Sequence, residues 1–132
     1  MIYKNVQVLR FTFDSCPYVH QICALHHECF PEVGTPDPDC QTVYVALKGS
    51  VFCGHAMLYH DGEIANVCVI KTARREGIAT QLLTEIVSDN SLHLWVAESN
   101  SIALHLYQKT GFRLTQARRS NEVQMLAAPH TL

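Results

Sequence analysis

The stretch ARREGIATQLL, residues 73–83, joins the end of a predicted strand to the start of a predicted helix. It contains Arg74 and Arg75, then Gly77, then apolar residues at helical spacing. The first turn of a helix has amide N–H groups without internal partners and a partial positive charge, which suits an anion such as phosphate. Gly77 has no Cβ, so a ligand can approach the backbone closely. Taken alone, the segment fits a solvated loop with a capping glycine equally well.

Apolar periodicity on both sides of this stretch predicts a mixed α/β fold. Strands are predicted over residues 3–13, 42–47, 51–59, 63–70, 92–97, 112–117 and 123–127. Asp61 and Gly62 form a strong two-residue hairpin signal. The order of elements is an antiparallel meander followed by a β-α-β-α-β unit.

Three helices are predicted between these strands. Asp14 or Ser15 is expected to cap the first helix, with Pro17 in its first turn. Its predicted apolar face comprises Val19, Ile22, Cys23, His26, Cys29 and Phe30. Ser99 or Asn100 is expected to cap the third helix, and Gly111 stands where a left-handed helix stop is needed.

The composition indicates an ordinary globular protein. Its 132 residues are 48% hydrophobic and 17% charged, which predicts a single domain over residues 1–132. No apolar run reaches the roughly 18 residues of a membrane span, and the N-terminus has no signal-peptide hydrophobic stretch. We therefore expect a cytoplasmic location and no membrane partner. The net charge of -2 gives no reason to expect nucleic acid as a partner.

The six cysteines are scattered and contain no CxxC spacing, so we expect free thiols rather than a disulfide framework. His26, His27 and Glu28 precede Cys29, which is compatible with a metal site. Because no second ligand cluster accompanies them, a polar helix face is the preferred interpretation, and no metal is predicted.

A second segment, NSIALHLYQKTGF over residues 100–112, follows one strand later. Together the two segments resemble the GNAT superfamily of acetyl-CoA-dependent N-acetyltransferases. Arg74, Gly77 and Ala79 fit its loop pattern [RQ]-x-x-G-x-[GA]. The pattern N-x-x-A-x-x-L-Y-x-K-x-G-F is matched by Asn100, Ala103, Leu106, Tyr107, Lys109, Gly111 and Phe112. The resemblance implies a GNAT-like fold, a mixed central sheet of six to seven strands with splayed central strands and flanking helices.

The resemblance also implies where acetyl-CoA would bind. The pantetheine arm would lie between the fourth and fifth strands, bound by backbone groups of Val67, Cys68 and Val69 that polarise the thioester carbonyl. The pyrophosphate would lie on a loop made of Arg74, Arg75, Glu76, Gly77, Ile78, Ala79 and Thr80. Asn100 would bind the pantetheine amides, and Lys109 either lies near the phosphates or is merely solvated.

Two residues have an implied catalytic role. Tyr107 would protonate the departing CoA thiolate, the alternative being a core tyrosine on an amphipathic helix. Glu63 lies eleven residues before Arg74, the offset of a basic glutamate in histone-type members, so it is a candidate general base. Its alternative is a surface residue beside the hairpin, and Glu28 and His60 are weaker candidates for the base. Cys68 is expected to pack rather than act as a nucleophile.

The implied function is transfer of the acetyl group of acetyl-CoA to a primary amine by direct attack in a ternary complex. The alternative is a catalytically silent acyl-CoA-binding or sensing module, which would not need Tyr107. The resemblance implies that the acceptor contacts the first helix and its loop, and the last two strands. The first of these regions is rich in acidic residues, namely Glu28, Glu32, Asp37 and Asp39, which favours a cationic small-molecule or peptidyl amine, and a solvated acidic loop is an equally ordinary interpretation. A polyamine, an aminoglycoside and a lysine side chain all stay open, as do a monomer and a homodimer.

Overall fold

The computed structural model describes residues 5–87 and 91–128. Within them, seven strands and three α-helices follow one another, with a short 3-10 turn over Lys71–Ala73. In chain order they are β1 (Val6–Phe11), α1 (Val19–Cys29), β2 (Thr42–Lys48), β3 (Val51–Leu58), β4 (Ile64–Val69), α2 (Ile78–Val87), β5 (Leu92–Ala97), α3 (Ser101–Lys109), β6 (Arg113–Arg119) and β7 (Glu122–Ala127). Each predicted strand is confirmed to within a few residues, and residues 3 and 4 of the first lie outside the described part. The domain boundary at residues 1–132 stays a prediction.

The strands form two hydrogen-bonded sheets, a four-stranded antiparallel meander β1-β2-β3-β4 and a three-stranded sheet β5-β7-β6. β4 and β5 meet at one end through a parallel bridge between Glu63 and His93. There the His93 N–H donates to the Gly62 carbonyl at 3.0 Å. Further along, the two strands belong to different sheets and separate, which confirms the predicted splay of the central strands.

A bulge in β4 lies where this separation begins. The pairing of β3 with β4 shifts between His55 and Met57, which leaves Asn66 and Val67 opposite Ala56. Asn66 has φ +60, in the left-handed region that a short polar side chain tolerates better than most. Because a bulge bends its strand and increases the local twist, it changes the direction of β4 between Ala65 and Cys68.

The helices cover opposite faces of the meander. α2 buries Ile78, Leu82 and Ile86 against one face, which includes Tyr44 and Ala46 of β2. The other face carries the alternate residues of β2, Val43 and Val45, and these pack with Ile22 of α1. The splayed strands therefore have one face toward α2 and the other toward α1.

The predicted start of α1 is wrong. The helix begins at Val19, with Tyr18 in the cap position and no side-chain capping bond. Asp14 and Ser15 lie in an earlier turn, where the Ser15 N–H donates to Thr12 Oγ1 at 3.3 Å. A local side-chain bond of this kind competes with helix initiation, so the chain turns before the helix starts.

All six cysteines are free, as predicted. Burial raises the pKa of the Cys16 and Cys53 thiols, which keeps them protonated. Within the described residues, each helix is too short or too polar to cross a membrane.

Candidate active site

A cleft of about 860 Å³ opens where β4 and β5 separate. A second cavity, of about 550 Å³, lies at the N-terminal end of α2. The two have five lining residues in common: Val69, Arg74, Ala79, Ile102 and Leu106. They therefore form one continuous site, long enough for an extended ligand that has an anionic end.

The anionic end of such a ligand is matched by the loop that precedes α2. Arg75 and Gly77 have φ +68 and +80, and these left-handed residues turn the chain into the helix. The Gly77 carbonyl accepts the Gln81 N–H at 3.0 Å, so the helical bonding begins there. The N–H groups of residues 78–80, which precede Gln81, are therefore available for a ligand. The predicted loop residues that line the second cavity are Arg74, Arg75, Gly77, Ile78, Ala79 and Thr80. Glu76 differs from them, since its carboxylate pairs with Lys48.

Arg74 ties this loop to the end of β4. Its Nε donates to the Val69 carbonyl at 2.9 Å, and its Nη2 lies 3.9 Å from the Cys29 sulfur at the end of α1. The guanidinium thus lies where the two cavities meet. It contributes positive charge at the centre of the site while it fixes the loop.

The backbone polar groups of β4 point alternately toward β3 and toward the cleft. The Ile70 N–H donates to the Cys53 carbonyl on β3 at 2.9 Å. Strand alternation then directs the polar groups of Val69 away from β3, toward the cleft, where Arg74 binds its carbonyl. Val67 lines the same cleft from within the bulge.

Cys68 lies between these two valines. It pairs with His55 in the sheet, and the residue is 2% exposed. Burial raises the pKa of this thiol well above its ordinary value, and the neighbouring Cys29 acts in the same direction. A thiol held neutral in this way is a poor nucleophile, which supports a packing role.

Tyr107 projects from α3 into the cleft. Its ring packs edge-on against Phe112 at 5.8 Å, so the tyrosine also belongs to the edge of the core. Burial raises the pKa of its hydroxyl, and Cys68 adds to the shift. The phenol is therefore protonated at neutral pH and can donate that proton in the cleft.

Asn100 and Lys109 lie at the two ends of α3. The Asn100 Oδ1 accepts the Ala103 N–H at 3.1 Å, which confirms the predicted helix cap. Asn100 lines the cleft, so its amide group borders the space where a ligand would lie. Lys109 lines the second cavity beside the loop.

Glu63 lines the cleft at its closed end, immediately after the hairpin. Its N–H donates to Asp61 Oδ1 at 3.0 Å. Carboxylate oxygens of Asp61 and Glu63 and a ring nitrogen of His93 lie within 4.8 Å of one another. These groups can accept a proton or hold a cation, although such partly exposed clusters often occur without an ion. The weaker candidates for the base, Glu28 and His60, do not line the cleft. His60 Nε2 lies 3.8 Å from Asp39 Oδ1.

A buried polar network beside the cleft was not predicted. His26 is 1% exposed, with Nδ1 2.7 Å from the Gly34 carbonyl and Nε2 3.2 Å from Asn66 Oδ1. The Asn66 amide donates to the Tyr59 hydroxyl at 3.2 Å, which donates to the Asp37 carbonyl at 2.9 Å. Both ring nitrogens of His26 thus have protein partners. The network joins α1 and the loop after it to the bulge of β4.

The sequence also did not predict several other side chains that line the cleft. They come from the end of α1 and from the three-stranded sheet, and include Trp95, Val33, Arg119 and Glu122. Phe30 is among them, although the sequence assigned it only to a helix face. The positions of Trp95, Arg119 and Glu122 depend on pairing between β5, β6 and β7, which no local pattern specifies. Those of Phe30 and Val33 depend on how α1 packs.

Comparison with known proteins finds acetyltransferase domains that are similar to this chain. Residues 39–114 match the family model of the acetyltransferase (GNAT) domain. A curated relative, GCN5-related N-acetyltransferase 6, chloroplastic, of Arabidopsis thaliana, is 44% identical over 61 residues, 42% of this chain and 21% of the relative. The chain thus spans about a fifth of the length of this relative.

Solved structures have the same fold. A GNAT family acetyltransferase from Elizabethkingia anophelis, with acetyl-CoA bound, aligns with a TM-score of 0.72 and 20% identity, over 95% of this chain and 99% of that one. A Bacillus subtilis acetyltransferase in complex with CoA aligns with a TM-score of 0.68 and 16% identity, over 93% and 98%. With the family match over residues 39–114, this chain belongs to the GNAT acetyltransferase family.

Proposed function

We propose that the protein transfers the acetyl group of acetyl-CoA to a primary amine, by direct attack within a ternary complex. The observation that supports this most is the continuous site, which has an anion-binding loop at one end and a protonated tyrosine in its middle. A group-transfer site for a long phosphorylated thioester needs both features.

In this proposal, the loop and the first turn of α2 bind the pyrophosphate. Main-chain amides of residues 78–80 supply donors, and Arg74 and Arg75 supply charge. The pantetheine arm lies along β4, and Asn100 donates to it with the amide group that does not cap α3. A β4 amide at Val67 or Val69 donates to the thioester carbonyl, where negative charge develops during attack.

The reaction then needs two proton transfers. The acceptor amine loses a proton as its nitrogen bonds to the acetyl carbon, and Glu63 is the proposed acceptor of that proton, directly or through water. The carbon–sulfur bond breaks, and Tyr107 gives its proton to the leaving sulfur. The electron pair of the broken bond stays on that sulfur, so the products are an amide and CoA in its thiol form.

Release of free CoA thiol tests the proposal. Purified protein with acetyl-CoA should release CoA slowly alone and much faster with a suitable primary amine, and mass spectrometry should detect the acetylated amine. If acetyl-CoA binds tightly and no amine accelerates CoA release, the silent acyl-CoA-binding module is the better description.

Asn100 offers a test of cofactor contact that separates binding from folding. Asn100→Ala should lower the free energy of unfolding by about 1 kcal/mol because the cap of α3 is lost. Asn100→Asp keeps an oxygen for the Ala103 N–H, so its stability should be near wild type. Both variants lose the amide donor, so both should bind acetyl-CoA more weakly in calorimetry. Wild-type affinity in Asn100→Asp would make Asn100 a cap and nothing more.

If Glu63 is the general base, its substitution should change the pH dependence of kcat/KM. An amine of pKa near 10 is almost fully protonated at pH 7, so a base is needed or the rate must follow the free amine. In Glu63→Gln, the midpoint of the pH profile of kcat/KM should shift toward the pKa of the amine. The value of kcat/KM should recover partly at high pH, where free amine is present. Glu98→Gln is the matched control, because it makes the same change at a carboxylate that does not line the cleft, and its profile should match that of the wild type. Superimposable profiles for wild type and Glu63→Gln would assign the base to water or another side chain.

A further inference from the structure

We propose that the acceptor is a monoamine whose amino group is carried on an apolar, aromatic-sized body, rather than a polyamine, an aminoglycoside or an extended lysine peptide. The inference rests on the proposed function and specifies its second substrate. The acceptor subsite is formed by Phe30, Val33 and Trp95, with Glu63 beside it.

The position of this subsite follows from the two faces of the splayed strands. On β5, Leu92, Leu94 and Val96 are buried in the core that α2 covers. Trp95 alternates with them and therefore projects from the opposite face, the one beside α1. Asn66 of β4 also projects to that side, since it contacts His26 of α1. The loop and α3 flank the proposed cofactor from the core side, so an acceptor can enter from the α1 side.

The walls on the α1 side are apolar. Phe30 and Val33 follow one another at the end of α1 and in the next loop, and their exposed fractions are 36% and 68%. Large apolar side chains left exposed at the mouth of a cleft indicate contact with a ligand or partner. Here they line the same cleft as Trp95, and that cleft already ends at a proposed thioester site, which favours a small ligand that enters it.

Trp95 is held in place by charged neighbours. The Arg119 guanidinium lies 4.5 Å from the centroid of the indole ring, and Arg119 Nε donates to Glu122 Oε1 at 2.9 Å. The cation–π contact covers one ring face and orients the indole. The rest of the ring provides a flat, rigid surface that suits an aromatic or bulky aliphatic group.

The charge of the cleft matches one ammonium. Its described acidic lining residues are Glu63 and Glu122, and Glu122 already pairs with Arg119. The acidic residues on which the sequence analysis based its expectation of a cationic acceptor do not line the cleft: Glu28, Glu32, Asp37 and Asp39. A second ammonium placed against the apolar walls would lose hydration without gaining a partner, which is costly.

A matched panel of amines tests the inference. kcat/KM is measured at saturating acetyl-CoA and fixed pH for 2-phenylethylamine, butylamine, 1,4-diaminobutane and a short peptide with one lysine. 2-Phenylethylamine should exceed butylamine by roughly tenfold or more, because the ring buries additional apolar area. 1,4-Diaminobutane differs from butylamine chiefly by its second charge and should be the poorer substrate.

Variants of the proposed acceptor subsite test whether it causes the preference for 2-phenylethylamine over butylamine. Trp95→Ala should bring the ratio of 2-phenylethylamine to butylamine close to one, and Trp95→Phe should retain most of it. Leu114→Ala is the matched control, an apolar residue with 52% exposure outside the cleft lining, and it should keep the wild-type ratio. If Trp95→Ala does not fold, Phe30→Ala gives the same comparison at a surface position.

The outcomes separate the two proposals. If 1,4-diaminobutane or the lysine peptide is the better substrate, or if Trp95→Ala keeps the ratio, the apolar monoamine is overturned while the acetyltransferase function stands. If acetyl-CoA binds and none of the four amines nor a wider set of primary amines is acetylated, the proposed function itself fails.

Discussion

Tyr107→Phe should lower kcat for amine acetylation by roughly a hundredfold or more while the Kd for acetyl-CoA stays near its wild-type value. The change removes one hydroxyl and keeps the ring that packs on Phe112. Without that proton the sulfur must leave as a thiolate, and the transition state for its departure loses stabilisation. Single-turnover kinetics should be used, so that chemistry rather than product release sets the measured rate.

The pH dependence and a matched tyrosine make this test specific. Because burial raises the pKa of Tyr107, the phenol stays protonated across the neutral range, and the loss of turnover should be constant there. Tyr44→Phe removes a hydroxyl from a buried tyrosine of β2 that does not line the cleft, so its turnover should be normal. Full turnover in Tyr107→Phe would exclude this residue as the acid.

Gly77→Val should weaken acetyl-CoA binding by roughly a hundredfold. Two isopropyl methyl groups would stand where the pyrophosphate approaches the first turn of α2, and hydrogen bonds to a charged group contribute about 1.5–3 kcal/mol each. Gly77 also has φ +80, so valine is strained there, and the free energy of unfolding should fall by about 1–3 kcal/mol. Calorimetric binding and urea unfolding measure the two effects separately.

Gly34→Val is the control for the strain. Gly34 has φ +84, with nothing within 4 Å of the position of an added Cβ, and it lies outside the loop before α2. This variant should lose similar stability and keep its affinity for acetyl-CoA. If both glycine variants bind acetyl-CoA equally well, the assignment of the phosphate loop is wrong.

Local chemistry explains why the strands, the loop before α2 and the cap of α3 were predictable. Strand and helix periods are properties of neighbouring residues, and an anion-binding turn is built from amides within a few positions of each other. Asn100 caps α3 through the N–H of Ala103, three residues away. The resemblance to the GNAT superfamily was carried by the same two local segments, residues 73–83 and 100–112.

Features that depend on distant pairing were not predictable. His26 and Asn66 are 40 residues apart, and their contact exists only because α1 packs beside the bulge of β4. The predicted start of α1 was wrong for a local reason, because Ser15 bonds back to Thr12 before the helix begins. The acidic residues near α1 that favoured a cationic acceptor do not line the cleft, and the identity of the acceptor stays a prediction.

The sequence by itself determined the order of the elements, the family and the loop before α2, because each depends on residue type and short spacing. Tertiary structure alone decided which side chains meet between β4 and β5. Strand pairing places β4 and β5 in different sheets, and the bulge at Asn66 bends β4, since an inserted residue changes the direction of its strand. The walls of the cleft then come from α1 and from β5, β6 and β7, elements joined by packing rather than by proximity in the chain, and for that reason Trp95 and Phe30 line the same cleft.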